Sequence, residues 1–519
     1  MSLMLDIQIF FLAVIFTCLV ALVTPLVIYW KRHATSTTTV RLPPGPWKLP
    51  LIGNLHQMAA SSLPHRCMTD LANKYGPIMH LKLGQLSAAV ISSPEFVQEM
   101  LKTHDVAFSQ RPTFLAAEIL SYNSGIIFSP YNDFWRQMRK ICMLELLSAK
   151  RVESFASIRQ EEASNLVESI SLSDGHPFNL SEMIFSMQSV IIARAAFGKK
   201  CKYQQEFLSQ LQDAVRLAAE FDVPDLFPSL KFLRYVINLK PAVEKVHQKM
   251  DKILDEIISD HRVKRNEESA AGDDHQEDIV DVLLRLQESG ELQSDLTTTQ
   301  IKAVTLDMFS AGSETSATTT EWAMAELLRS PRAMKKAQAE VRQLIGGKGK
   351  IEESDIKKLD YLNLVIRETL RLHPPPFIPR QASEKCTIGG YDIPTEATVF
   401  INAWGIGRDP KYWENADCFL PERFQGSSVD FRGTNFELVP FGGGRRMCPG
   451  ISFATASIEL ALSHLLYHFD WKLPNANGSS TEIRLLEELD MTECKGLNVR
   501  KKNNLYLIAI PFISSSEMN

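Results

Sequence analysis

The stretch Phe441-Gly442-Gly443-Gly444-Arg445-Arg446-Met447-Cys448-Pro449-Gly450 sets one cysteine in a glycine-rich turn, with two arginines before it and a proline and a glycine after it. Three consecutive glycines let the backbone take positive φ angles and approach a bulky ligand closely. Pro449 suits the first position of a helix. Ile451 to Phe469 reads as that helix, with Phe453, Ile458, Leu462, Leu465 and Leu466 as its apolar positions. Cys448 then lies at a helix N-terminus, where free amides and the dipole favour a thiolate. A lone cysteine is more often a buried structural residue. Against that, no second Cys or His lies nearby to form a zinc site or a disulfide.

The spacing fits F-x-x-G-x-R-x-C-x-G at each fixed position: Phe441, Gly444, Arg446, Cys448 and Gly450. Chance gives such a match in on the order of one in ten thousand chains of this composition. The loop resembles the haem-ligand loop of the cytochrome P450 family. The resemblance implies a mainly α fold with small β-sheets, preceded by one N-terminal transmembrane helix. It also implies haem b (iron protoporphyrin IX) with Cys448 as the axial thiolate and metal ligand, and Phe441 in the cofactor site. Thiolate ligation favours O–O cleavage.

Bulk properties agree. At 519 residues, one large α-rich domain is possible. With 56 basic and 61 acidic residues, a net charge of −5 gives no electrostatic case for nucleic acid. The eight cysteines are scattered without a CxxC, as in a reducing compartment.

Residues 7–30 carry no charge and follow a short 1–6 segment ending in Asp6. As a helix they span about 36 Å, enough to cross a hydrocarbon core of about 30 Å with some tilt. The acidic flank and the lack of a small-x-small site argue against a cleaved signal peptide. Lys31, Arg32, His33 and Arg41 follow the span and place the remainder on the cytosolic side. In that topology neither Asn179-Leu-Ser nor Asn477-Gly-Ser is glycosylated. Residues 31–46 are a Ser/Thr-rich linker and a stiff hinge, Leu42-Pro43-Pro44-Gly45-Pro46. Residues 47–513 form the catalytic domain and 514–519 a tail.

In the body, Leu81 to Ser92 reads as a small β-hairpin around Gly84, and Val263 to Asp278 as a charged loop between helices. Trp135 and Arg139 stand at i and i+4 on one helix face, by themselves an ordinary basic amphipathic helix. The resemblance makes them, with Arg380 and Arg446, partners of the haem propionates, and gives Lys140 to the surface met by a reductase. Thr298 to Ser330 is a long helix closed by Pro331. Within it, Ala311-Gly312-Ser313-Glu314-Thr315-Ser316 weakens the helix by roughly a kcal/mol or more. The Thr315 hydroxyl can bond the carbonyl of residue 311 and open the helix there. The family's A-G-x-[DE]-T signature makes Thr315 and Glu314 catalytic proton carriers and puts Ala311 and Gly312 against the cofactor. Leu359 to His373 is a helix stopped by prolines. Its Glu368 and Arg371, read alone, are a commonplace i,i+3 pair. With Arg423 of Pro-Glu-Arg-Phe they resemble the family's structural triad.

By resemblance, the substrate pocket draws on Thr113 to Ile119 (Phe114), on Leu306, Asp307, Ser310 and Ala311, on Phe377 and Ile378, and on the tip 496–499 (Leu497). Core packing is an equally good account of each. The apolar content implies a greasy, neutral substrate, and Phe221 to Leu230 looks like the membrane-dipping loop. Ala-Gly-Ser-Glu-Thr-Ser, Ile406-Gly-Arg-Asp-Pro410 and Asp490-Met-Thr-Glu493 resemble the plant microsomal branch, nearest its terpene hydroxylases; Gly405 stands where that branch often has alanine. The implied protein is an endoplasmic-reticulum monooxygenase facing the cytosol. It takes electrons from NADPH through cytochrome P450 reductase, with cytochrome b5 as an accessory partner. An alkaloid or phenolic hydroxylase, a reductase-independent isomerase or dehydratase, and a non-catalytic haem binder are the alternatives.

Overall fold

The computed structural model describes residues 40–512, except 62, 199–201, 219–222, 231–238, 272–276, 291, 293, 347–350, 376–378, 475–488, 495 and 497. The apolar span 7–30, the tail 514–519, Phe377, Ile378 and Leu497 fall outside the described residues. The chain divides into two units, Met1–Leu42 and Pro43–Asn519, and every described helix and strand lies in the second.

The described helices include α1 (Pro64–Tyr75), α2 (Leu115–Leu120), α3 (Asp133–Ile141), α4 (Ala156–Ser171), α5 (Leu180–Phe197), α6 (Gln204–Ala218), α7 (Leu239–Ala271), α8 (Ile279–Ser289), α9 (Thr298–Arg329), α10 (Pro331–Ile345), α11 (Asp360–Leu372) and α12 (Ile451–His468). Strands are short. β1 (Ile78–Leu83) and β2 (Leu86–Ile91) form an antiparallel hairpin; β7 (Thr398–Ile401) joins β2 in parallel, and β4 (Arg380–Gln381) closes that sheet. A second sheet runs β3 (Phe178–Asn179), β9 (Tyr506–Pro511), β8 (Phe469–Lys472), and β5 (Cys386–Ile388) pairs with β6 (Tyr391–Ile393).

The core lies among α4, α5, α9 and α12. Of the helices described, only α5 is long and apolar enough to cross a membrane, and it is mostly buried in this core. Asn179, inside an acceptor pattern, instead caps α5 by accepting the Glu182 amide hydrogen at 3.3 Å. α9 starts with a capping box, Thr297 against Gln300. It is buried on most sides yet rich in hydroxyls. Five of these are satisfied along the helix itself: Thr305, Ser313, Thr315, Thr319 and Thr320 each donate to the carbonyl four residues back, while the buried Ser316 hydroxyl has no partner among the described residues.

Two expectations are corrected. Val263 to Ala271 continues α7 as helix rather than starting a loop. Its Lys, Arg, Glu and Ala are good helix formers, and an exposed helix tolerates their charge. Pro449 falls one residue before the Gly450 cap and is not the first helical residue, while the helix begins at Ile451 as read from its apolar positions.

Hinge residues 44 and 45 pack on β1. His80 donates its amide hydrogen to the Pro44 carbonyl at 2.8 Å, and a Cβ on Gly45 would collide with the His80 carbonyl oxygen. Residues 223–226 form a short helix of the Phe221 to Leu230 segment. The Asp225 carboxylate accepts the Leu115 amide hydrogen at 3.1 Å, and the Leu226 carbonyl accepts that of Gln85 at 2.8 Å, tying the segment to α2 and to the β1–β2 turn.

Candidate active site

The cysteine loop is held from several sides. Gly442 and Gly444 have φ of 69° and 62°, as a tight glycine turn requires. A Cβ on Gly444 would collide with the Asp105 carboxylate, and that carboxylate accepts the Arg445 amide hydrogen at 3.1 Å. Cys448 donates its amide hydrogen to the Phe441 carbonyl at 3.0 Å, and the Phe441 ring packs edge-on against Phe431 at 5.3 Å. Burial pushes the Cys448 thiol above its ordinary value, while the Gly450 amide and the Arg139 charge pull it back. In the protein alone, burial outweighs the helix terminus, which starts three residues later than the thiol.

Guanidinium groups gather beside this loop. Arg446 is buried, donates to the carbonyls of Ser109, Ile126 and Ser129, and lies 4.1 Å from the Trp135 ring. Arg380 donates to the Gly443 carbonyl at 2.8 Å; its other terminal nitrogen, Nη1, is buried with no hydrogen-bond partner among the described residues. Arg111, on the segment before α2, donates to the carbonyls of Ile127 (3.1 Å) and Pro379 (2.8 Å). Burial pulls Arg380 down to about 10, with Arg139 adding to the effect and Asp105 opposing it. Burial, then Arg380 and Arg139, pull Arg446 down to about 9. Arg111 falls well below its ordinary value through burial and the charges of Arg380 and Arg446. Burial also lowers Arg139, against Cys142 and Cys448. A buried cluster of like charges with an unused donor fits a dianionic ligand, such as the two propionates of haem, beside a thiolate ligand.

Trp135 departs from expectation. Its indole N–H donates to the Ile126 carbonyl at 2.9 Å, so it holds a loop and stacks on Arg446 rather than presenting a free donor.

On α9, Thr315 Oγ1 donates to the Ala311 carbonyl at 2.5 Å. The expected opening does not appear as a break, because α9 runs unbroken from Thr298 to Arg329. Ala311 is exposed although Phe309 and Ser313 beside it are buried, so this face of a core helix borders open space. Packing alone calls for glycine at 312: a Cβ there would lie 2.7 Å from Ile192 Cδ1 on α5. Burial raises the Glu314 carboxyl above its ordinary range, with Arg500 and the Asn498 side chain pulling it down. Glu314 and Ser310 line a cavity of about 970 Å³ with Phe185, Leu211, Glu321 and Arg500. An apolar lining with few charges was expected at Ser310; this cavity is mixed in character.

Of the other pocket positions, Phe114 is half-buried at the start of α2 and Leu306 is a core residue. Asp307 is buried, and its Oδ2 accepts the amide hydrogens of Ile126 (2.5 Å) and Ile127 (3.1 Å). Burial pushes its carboxyl up to about 7, against those two amides. It is engaged with protein backbone, which a sequence pattern of apolar neighbours could not indicate.

Glu368, Arg371 and Arg423 meet. Glu368 and Arg371 are fully buried, with two 2.7 Å contacts, and Arg423 Nε reaches Glu368 at 2.9 Å. Arg371 also donates to the carbonyls of Gly407 (2.5 Å), Ala416 (2.6 Å) and Cys418 (3.0 Å), so all five of its N–H groups are used. Sequence reasoning missed Arg111 and Asp105. Phe108-Ser-Gln-Arg-Pro112 carries no spacing that marks a ligand-facing arginine, and Asp105 acts by a contact 340 residues away.

A family model described as Cytochrome P450 matches residues 43–488. The chain is 57% identical over 495 residues to melianol synthase CYP71BQ17 of Ailanthus altissima, covering 94% of this chain and 93% of that protein. It is 50% identical to desmethyl-deoxy-podophyllotoxin synthase of Sinopodophyllum hexandrum (94% and 95% covered) and 49% identical to premnaspirodiene oxygenase of Hyoscyamus muticus (94% and 96% covered). Among solved structures, a zebrafish cytochrome P450 with progesterone aligns at a TM-score of 0.73 and 25% identity, covering 86% of this chain and 99% of that one.

Proposed function

The chain belongs to the cytochrome P450 family, and from that premise we propose that it hydroxylates a lipophilic terpenoid, sesquiterpene or diterpene in size, with successive oxidation open to it. Electrons come from NADPH through a membrane-bound reductase. The protein is anchored by residues 7–30 in the endoplasmic reticulum, with its catalytic domain in the cytosol.

The observation that carries the substrate class is the identity to melianol synthases, 57% and 56% over 94% of the chain, together with premnaspirodiene oxygenase. The 50% identity to desmethyl-deoxy-podophyllotoxin synthase favours a second reading, a substrate of a different scaffold.

Bound haem supplies oxygen activation, with Cys448 as its thiolate ligand. The Gly450 amide and the Arg139 charge favour the ionised sulfur, and loss of the thiol proton accompanies binding. Arg380, Arg446, Arg111 and Arg139 receive the propionates. Glu314, raised above the usual carboxylate range, holds a proton at neutral pH more readily than an exposed glutamate. Glu314 and Thr315 are adjacent in sequence, so their side chains diverge on the helix. The Glu314 carboxyl would give its proton to water, and Thr315 Oγ1, whose own hydrogen is bound to the Ala311 carbonyl, would position that water by accepting one of its hydrogens on a lone pair.

Expression in microsomes with a plant reductase, fed a terpene panel and read by mass spectrometry, tests the assignment. Products 16 mass units heavier that require NADPH and reductase are expected. Turnover of a peroxide substrate without NADPH would overturn it.

A further inference from the structure

The segment Gly125-Ile126-Ile127 joins two parts of the site that lie far apart in sequence. On one side, Asp307 of α9 accepts the amide hydrogens of Ile126 and Ile127 at 2.5 and 3.1 Å. On the other, the Ile126 carbonyl accepts from Trp135 Nε1 at 2.9 Å and Arg446 Nη1 at 3.2 Å, and the Ile127 carbonyl accepts from Arg111 Nε at 3.1 Å. The Ile126 carbonyl and the Ile127 amide belong to one planar peptide unit. That unit is clamped between a carboxylate at its N–H end and an indole and a guanidinium at its C=O end. Rotating it would break both sets of bonds, and hydrogen bonds chained through one peptide polarise each other. The close approach also explains Gly125: a Cβ there would collide with Asp307 Oδ2.

We propose that Asp307 is a positioning residue for the haem-propionate cradle, setting the orientation of Arg446, Trp135 and Arg111 through the 125–127 backbone. It stands among positions expected to touch substrate, but its carboxylate is turned to this segment. The role links the oxygen-side helix to the propionate side through a single peptide. The inference rests on the haem reading, whose failure shows separately, as wild-type protein that takes up no haem.

The test measures haem transfer from purified holoprotein to apomyoglobin, together with the haem midpoint potential. Measured at pH 8, where the carboxyl raised to about 7 is mostly ionised, Asp307→Asn keeps the shape but loses the charge that grips two amides, and should release haem about tenfold faster and shift the potential. Arg446→Lys should accelerate haem release less when combined with Asp307→Asn than in the wild type, because both act through the same peptide. Gly125→Ala, which keeps the Asp307 carboxylate but forces it and the 125–127 peptide apart, should give the same signature and serves if the Asp307 variants do not fold. Haem release and potential unchanged in folded Asp307→Asn or Gly125→Ala protein would overturn the proposal. So would strictly additive effects with Arg446→Lys, or a change confined to substrate affinity in a spin-state titration.

Discussion

Two arginine clusters of the molecule are built on opposite principles. Around Glu368, every donor of Arg371 is used, and the carboxylate lies against both Arg371 and Arg423. Around Arg446, the guanidinium groups lower one another's basicity, and Arg380 Nη1 has no partner among the described residues. The first is complete in the protein alone. The second keeps a buried donor unused among the described residues, as a site for an anion would. A network closed on itself fixes the fold; one left open reports the charge of its ligand.

The largest effect should come from opening the closed cluster. Glu368→Ala leaves Arg371 and Arg423 with carbonyl acceptors but no balancing carboxylate and should cost about 3–5 kcal/mol, visible as collapse of soluble, haem-loaded protein and a lower Tm. Glu368→Ala with normal haem content and Tm would break the contrast.

In the open cluster the sign should depend on the ligand. Arg380→Met should weaken haem binding, read by titration of the apoprotein. It should leave haem-free stability in urea unchanged or improved, because it removes a like charge and an unused donor. A drop in apoprotein stability comparable to that of Glu368→Ala would show that both clusters are structural.

A smaller effect follows at the far side of α9. A carboxyl raised above its ordinary range stays protonated to higher pH and loses its proton as pH climbs through the raised value. Arg500 pulls Glu314 down, so Arg500→Ala should raise it further. The pH at which NADPH consumption uncouples from product should then move upward. An unchanged pH profile would remove Glu314 from proton delivery.

The same contrast explains what the sequence made legible. Cys448, Glu368, Arg371 and Arg423 were found because short fixed spacings carry them on single turns and helices. The fold class was implied by the family resemblance of the cysteine loop, and the β1–β2 hairpin followed from alternation around Gly84. Arg111, Asp105 and the work of Asp307 were not legible, since each acts through backbone groups brought near only by the tertiary fold. Trp135 was found, but not its acceptor, because an indole N–H on a helix face does not reveal which carbonyl folds over it. The charged run after Val263 misled because exposed helices and loops share that composition.

The central claim is that the Cys448 sulfur ligates haem iron. Its most direct test is the ferrous–CO absorption spectrum of the wild-type holoprotein against Cys448→Ser. The account predicts a strongly red-shifted Soret band in the first and its loss in the second. A red-shifted band that survives in Cys448→Ser, or a wild-type spectrum typical of nitrogen ligation, would contradict it.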